Sequence, residues 1–256
     1  MEGWILFGRG PLFRLGLVMM VLGLLRILWL TFVSIWEVLR EAQDGSLPKK
    51  EILRQTVAWM FPIGRLWRRR PVYSSLSFLF HVGLIVVPIF LAAHILLWRE
   101  NTGIPWPTIP QRLANWLTLM VIATALGIFL GRLLHSGARQ ISGFQDYLWP
   151  LLLAVPFATG YVASNMRISP SHYESMMLLH IYAGDLILMM VPFTKIAHCV
   201  LTPLSQLVSQ VAWKFSPGAG DRVAETLGYG DRPSWVAKSR LSVPALPNGP
   251  SEGVRK

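Results

Sequence analysis

The sequence predicts an all-α integral membrane protein: a bundle of five transmembrane helices with the N-terminus outside and the C-terminus inside. Three observations predict it. Of 256 residues, 53% are hydrophobic and only 14% charged, where a soluble domain carries about 25% charged residues; mean hydropathy is +0.45. Five apolar runs approach the ~20 residues needed to cross a bilayer. Basic residues gather in alternate connections between those runs, as insertion requires.

The same composition excludes other classes. Twenty-four Lys and Arg against thirteen Asp and Glu leave a net charge of +11, a balance seen in nucleic-acid binders, but the apolar runs argue against that partner and no nucleic acid is expected. Disorder and a soluble enzyme are both incompatible with so apolar a chain. A lone cysteine, Cys199, excludes a disulfide framework, a Cys-rich zinc site and an iron–sulfur cluster held by this chain alone. Covalent c-type haem needs C-x-x-C-H, which does not occur. No secretory signal is expected, because Met1-Glu2-Gly3 lacks a basic start and the first apolar run continues well past an h-region.

The first span is expected over roughly 11–34 and contains Arg14 and Arg26. A second, over about 72–98, follows Arg68-Arg69-Arg70-Pro71 and stops at Arg99-Glu100. The third, 113–134, is introduced by a Pro-rich turn holding Pro105, Pro107 and Pro110. The fourth covers about 147–163 and the fifth about 174–201. Together they make a membrane domain over 1–202, followed by a polar tail over 203–256.

Orientation follows from the basic residues of the short connections. The first connection holds Arg40, Lys49, Lys50, Arg54, Arg65, Arg68, Arg69 and Arg70; the third adds Arg139, with Arg132 at its helix end. From Lys195 onward come Lys214, Arg222, Arg232, Lys238, Arg240, Arg255 and Lys256. The opposite side holds few cations, among them Arg9, Arg99, Arg112 and Arg167. Residues 35–70 read as an interfacial amphipathic stretch, with Ile52, Leu53, Val57 and Trp59 among polar groups. The tail becomes Pro/Gly/Ser-rich, which cannot bury a core, and is expected to be extended unless a partner orders it. Trp98, Trp106, Trp116 and Trp149 fall near span ends and read as an aromatic belt.

Four of the six histidines fall inside expected spans, where an ionisable side chain is costly and marks a functional site. Opposed span directions put His94 and His180 at one depth, and His81 and His198 at another. Each pair is placed to bracket a metal, and neutral imidazole is a common axial ligand of iron. His180 and His198 are separated by five turns of a regular helix, ~27 Å, which leaves room for two stacked haem groups. His81 and His94 fit less well: thirteen residues leave them ~140° out of phase on an ideal helix. Pro88 lies between them and is the residue able to reset that phase.

Phe80-His81-Val82-Gly83-Leu84-Ile85, followed by a second histidine, resembles the second helix of the respiratory nitrate reductase gamma subunit. Leu179-His180-Ile181-Tyr182-Ala183-Gly184 with Val191-Pro192-Phe193-Thr194-Lys195-Ile196-Ala197-His198 resembles the last helix of that family. The resemblance spans the second to fifth runs. It implies a dihaem cytochrome b with two non-covalent, bis-histidine haem b groups, the inner one on His81 and His198 and the outer one on His94 and His180. It also implies exchange of electrons with a quinone, menaquinone or ubiquinone, and with an iron–sulfur subunit on the cytoplasmic side. The family's second-helix pair is closer together than His81 and His94 are. The long basic first connection and the Pro-rich tail point instead to relatives such as the membrane cytochromes of Dsr-type sulfur-metabolism and heterodisulfide reductase complexes.

Other residues have local readings. Arg26 is placed to snorkel to the headgroups or to pair with a haem propionate. Arg112 is placed to donate to a quinone carbonyl or to anchor the interface. Asp185, five residues past His180, relays a proton or bonds a neighbouring helix. His135 and His172 read as exposed. The expected protein is a multi-pass cytochrome of a prokaryotic inner membrane, in a hetero-oligomeric complex with other membrane subunits and surrounded by lipid, and not catalytic alone. The competing readings are a polytopic transporter and a haem-free membrane anchor.

Overall fold

The computed structural model describes residues 2–41, 49–60, 67–68 and 70–212, and the regular elements among them are all helical. Arg65, Arg69 and the tail cations from Lys214 onward lie outside the described residues, as does the Pro/Gly-rich tail itself. The helices are α1 (Glu2–Phe7), α2 (Phe13–Glu41), α3 (Lys49–Met60), α4 (Pro71–Phe90), α5 (Ala92–Thr102), α6 (Gln111–Leu134), α7 (Ser136–Ile141), α8 (Phe144–Asn165), α9 (Pro170–Met190) and α10 (His198–Val211). Five helical stretches are long and apolar enough to cross a membrane: Glu2–Glu37, Pro71–Phe90, Gln111–Leu134, Phe144–Asn165 and Pro170–Phe193.

Helix ends follow local chemistry. Pro71 and Pro170 sit in the first turns of α4 and α9, where a missing N–H costs nothing. Gly103 closes α5 in the left-handed region at φ 78°, which Gly adopts without strain. Asp146 caps α8, its Oδ2 accepting from the Gly143 N–H at 2.9 Å.

The first run starts earlier than its sequence indicates. Pro11 has no N–H to continue the α pattern, so Gly8–Leu12 form a π turn in which the Phe13 N–H reaches the Gly8 carbonyl. Helical structure therefore continues from Glu2 into α2, upstream of the expected start of the span near residue 11. The fourth helix is also longer than its apolar stretch, because Asp146 supplies a cap upstream of Tyr147. At the other end, α10 carries helix to Val211, past the Pro203 expected to open the tail.

Contacts divide the chain into two compact units, 1–25 with 62–198 and 26–61 with 199–256. In the first, α4 packs on α6, α6 on α8, and α8 on α9. Phe80, Val87, Val121, Ala125, Ile128, Trp149, Leu153 and Phe157 form its core. Gly83 lets α4 approach α6 so closely that a Cβ there would collide with Val121. A glycine row does the same for the first run: Gly8 faces Ile181, Gly16 the Asp185 carbonyl and Gly23 the Pro192 ring. Spacings of eight and seven residues keep that row on one helix face.

The second unit contains the later part of α2, α3 and α10, with Ile52, Leu204 and Val211 buried. On α3 the exposed Glu51 carboxylate accepts from Arg54 at 2.7 Å, which lowers its pKa below the usual carboxylate value. Trp149 departs from the expected aromatic belt. It is buried in the core, its Nε1 donating to Gln145 Oε1 at 3.3 Å.

Candidate functional site

The four span histidines meet in two pairs. His81 of α4 lies beside His198 at the start of α10, with ring centres 5.8 Å apart and planes at 87°. His94 of α5 lies beside His180 of α9, also at 5.8 Å but with planes at 17°. Among the described residues no group of three or more His, Cys, Asp or Glu is arranged to hold a metal. Neither pair has such a third ligand among the described residues.

Neither pair arises from the continuous helix assumed in the sequence reading. The second run breaks at Leu91, whose extended φ −67°, ψ 132° separates α4 from α5. Pro88 removes one N–H just upstream, and the Pro-rich turn repairs the opened ladder from outside. The Trp106 Nε1 donates to the Ile89 carbonyl at 2.7 Å, and the Ile109 N–H to the Phe90 carbonyl at 3.0 Å. The break removes the phase conflict between His81 and His94.

A second break corrects the five-turn argument for His180 and His198. After Met190, two short 3₁₀ turns, Val191–Phe193 and Lys195–Ala197, flank an extended Thr194 at φ −130°, ψ 179°. The 18-residue spacing thus does not set the facing of His198; these turns do.

Hydrogen bonds fix the state of three rings. His81 Nδ1 lies 2.7 Å from the Ser77 carbonyl, His180 Nδ1 2.7 Å from the Pro156 carbonyl, and His198 Nδ1 2.8 Å from the Lys195 carbonyl. A carbonyl oxygen only accepts, so each Nδ1 carries the proton. In the neutral ring the Nε2 lone pair is then free to bind a metal, which is how second partners orient metal-binding histidines. Carbonyls of Val87 and Pro88, next to the helix break, interact with His94.

Space around His180 is also prepared. A Cβ on Gly160 of α8 would stand 2.8 Å from His180 Cε1, so only glycine admits the imidazole in this position. Gly184, one turn beyond His180 on the same face, has nothing within 4 Å of where its Cβ would be.

The remaining sequence candidates do not join these pairs. Arg112 is exposed in the first turn of α6, and Arg26 is exposed on α2; neither makes a hydrogen bond or ion pair with a described residue. His135 caps α7, its Nδ1 accepting from the Ala138 N–H at 3.4 Å, and His172 bonds Ser169 Oγ at 2.6 Å. Asp185 is buried with Oδ2 unpartnered.

Several residues near the pairs escaped the sequence reading. Arg14 Nε donates to Asn101 Oδ1 at 2.8 Å and Arg9 pairs with Glu100 at 3.1 Å, tying the first run to the helix that carries His94. Pro156, Gly160, Gln145 and Asp146 all come from α8, which supplies no histidine. Pro156 and Gly160 were signalled only by the Pro and Gly content of a span, and Gln145 and Asp146 by nothing beyond their place at its start.

Over 204 residues the chain is 32% identical to a curated protein of Nitratidesulfovibrio vulgaris (strain Hildenborough), described only as "Protein". The alignment covers 78% of this chain and 89% of that protein. The chain belongs to that protein's family. No protein-family model matches the chain, and no solved structure does.

Proposed function

We propose that this protein is a five-span dihaem b-type cytochrome, N-terminus outside, that carries electrons between a quinone and an iron–sulfur partner. The observation that carries the reading is the meeting of four histidines as two pairs, three of them with Nδ1 committed to a carbonyl. Both pairs have ring centres 5.8 Å apart, a separation at which two imidazoles could hold one metal between them. Haem would be held by such a pair of imidazoles and would supply the metal's remaining ligands itself. Open space beside Gly184 suits a flat macrocycle running along that helix face. The residues therefore fit haem b.

His81 and His198 would hold the inner group, His94 and His180 the outer. Haem, when bound, supplies one-electron redox chemistry. The chain's part is to present Nε2 lone pairs on rings oriented by backbone carbonyls, beside the apolar core that includes Phe80 and Phe157. Arg112 on the outer side and Arg26 nearer the inner end remain the cations proposed for a quinone carbonyl and a propionate; their exposure leaves both free to reach such groups. The partners proposed are a cytoplasmic iron–sulfur subunit and other membrane subunits, in a prokaryotic inner membrane and possessing a role in respiration or sulfur metabolism.

Interrupted helices at Leu91 and Thr194 also favour a second reading, since transporters build substrate sites from broken helices. Here, however, each break turns a histidine toward another histidine. A reduced-minus-oxidised optical spectrum of the purified protein separates the two readings: the cytochrome gives b-type bands, and the transporter gives none.

A further inference from the structure

The end of the first unit that carries His198 holds a polar cluster that the electron-transfer reading does not use. Lys195, in the 3₁₀ turn before α10, is held by α8 at two points. Its backbone N–H donates to Gln145 Oε1 at 3.1 Å, and its Nζ pairs with Asp146 Oδ2 at 2.5 Å. Its third polar group, the backbone carbonyl, accepts from His198 Nδ1 at 2.8 Å. The turn that orients His198 is thus attached to α8 by the residue that supplies the orienting carbonyl.

Asp146 is the junction of the cluster. Its side chain is 15% exposed, and it meets the Gly143 N–H, Lys195 and, at 3.7 Å, Arg132 of α6. Arg132 continues the connection to Ser142 Oγ and to Tyr73 Oη of α4, each at 3.2 Å. Tyr73 lies two turns before His81 on the same helix. One carboxylate therefore connects, through two cations, the helix of His81 and the turn that precedes His198. An exposed ion pair stabilises little by itself, and Lys195 is 56% exposed. What the cluster provides is placement, because three separate bonds converge on one short turn.

We propose that Asp146 is a positioning residue for His198, acting through Lys195 to fix the orientation and tautomer of the imidazole that binds the inner haem. This rests on the dihaem reading and names the residues that tune one of its two centres. Outer partners of a metal-binding histidine typically alter metal affinity about 10–100-fold when removed. Asp146→Asn keeps an oxygen for the Gly143 N–H but removes the charge that holds Lys195. Lys195→Met cuts the same link from the other side and leaves the α8 cap intact, which covers the case in which Asp146→Asn fails to fold. Lys195→Arg retains a cation.

The test is a potentiometric optical titration of the full-length wild type and these three variants. The expected result is a changed midpoint and reduced occupancy of the inner component in Asp146→Asn and Lys195→Met. The outer component stays at its wild-type midpoint, and Lys195→Arg restores the inner one. Equal displacement of both components, or of neither, overturns the proposal. A wild-type chain purified without haem would sink the dihaem reading but leave the positioning claim open to test: ¹⁵N shifts of the His198 ring then report the loss of the Nδ1–H tautomer in the variants, and an unchanged tautomer overturns the claim.

Discussion

At the scale of the residue, the account turns on which nitrogen of each histidine is free. Carbonyl acceptors at Ser77, Pro156 and Lys195 hold the Nδ1 protons of His81, His180 and His198. Replacing His198 with Ala is therefore expected to remove the same spectral component as replacing His81, while His94→Ala and His180→Ala remove the other. Loss of the same component from His198→Ala and His94→Ala would contradict the pairing. Ring planes give a finer check. Perpendicular imidazoles at His81 and His198 predict a highly anisotropic low-spin ferric EPR signal, and the near-parallel His94 and His180 predict an ordinary rhombic one. Gly160→Ala puts a methyl 2.8 Å from the His180 ring, so its expected effect is confined to the second signal; a change in the first would mean α8 does not act locally.

Elements explain why those rings meet. The Pro-rich turn before α6 reads as a linker, yet its Trp106 and Ile109 satisfy the carbonyls left by the break at Leu91. A typical hydrogen bond contributes about 0.5–1.5 kcal/mol net, and the Trp106–Ile89 bond is exposed. Trp106→Phe is expected to lower unfolding stability by that order and to loosen His94 before His81. Thermal denaturation followed at each component's band reads this out, and simultaneous loss of both bands at the wild-type temperature would contradict it.

The pairings of His81 with His198 and of His94 with His180 were legible in the sequence, because they follow from opposed span directions, which depend only on charge and run length. Their facing was not. Regular helix geometry put His94 out of phase and His198 in phase, whereas the structure interrupts both helices. Pro88 signalled one interruption, but its site at Leu91 depends on a turn some fifteen residues away. The second interruption follows Pro192 in a run that otherwise looks apolar and continuous. Asp146 was invisible for a different reason: a lone carboxylate at a span end looks like any helix cap until Lys195 and Arg132 are brought to it.

For the molecule as a whole, the proposal is that electrons cross the bilayer through two centres and leave toward a partner on the inner side. Basic residues of the first connection and of the tail beyond Lys214 supply the charge for such docking. Deleting the chain from Pro217 onward is expected to leave both haems bound and reducible by quinol, and to weaken co-purification with an iron–sulfur subunit. If the shortened chain keeps its partner, docking belongs to the first connection, where Lys49, Lys50 and Arg54 are exposed on α3.

The central claim is that two histidine pairs each hold one haem. Acid-acetone extraction of the purified, folded protein, with the released haem quantified against chain concentration, tests it most directly. The account predicts two non-covalent haems per chain; fewer than one per folded chain would contradict it.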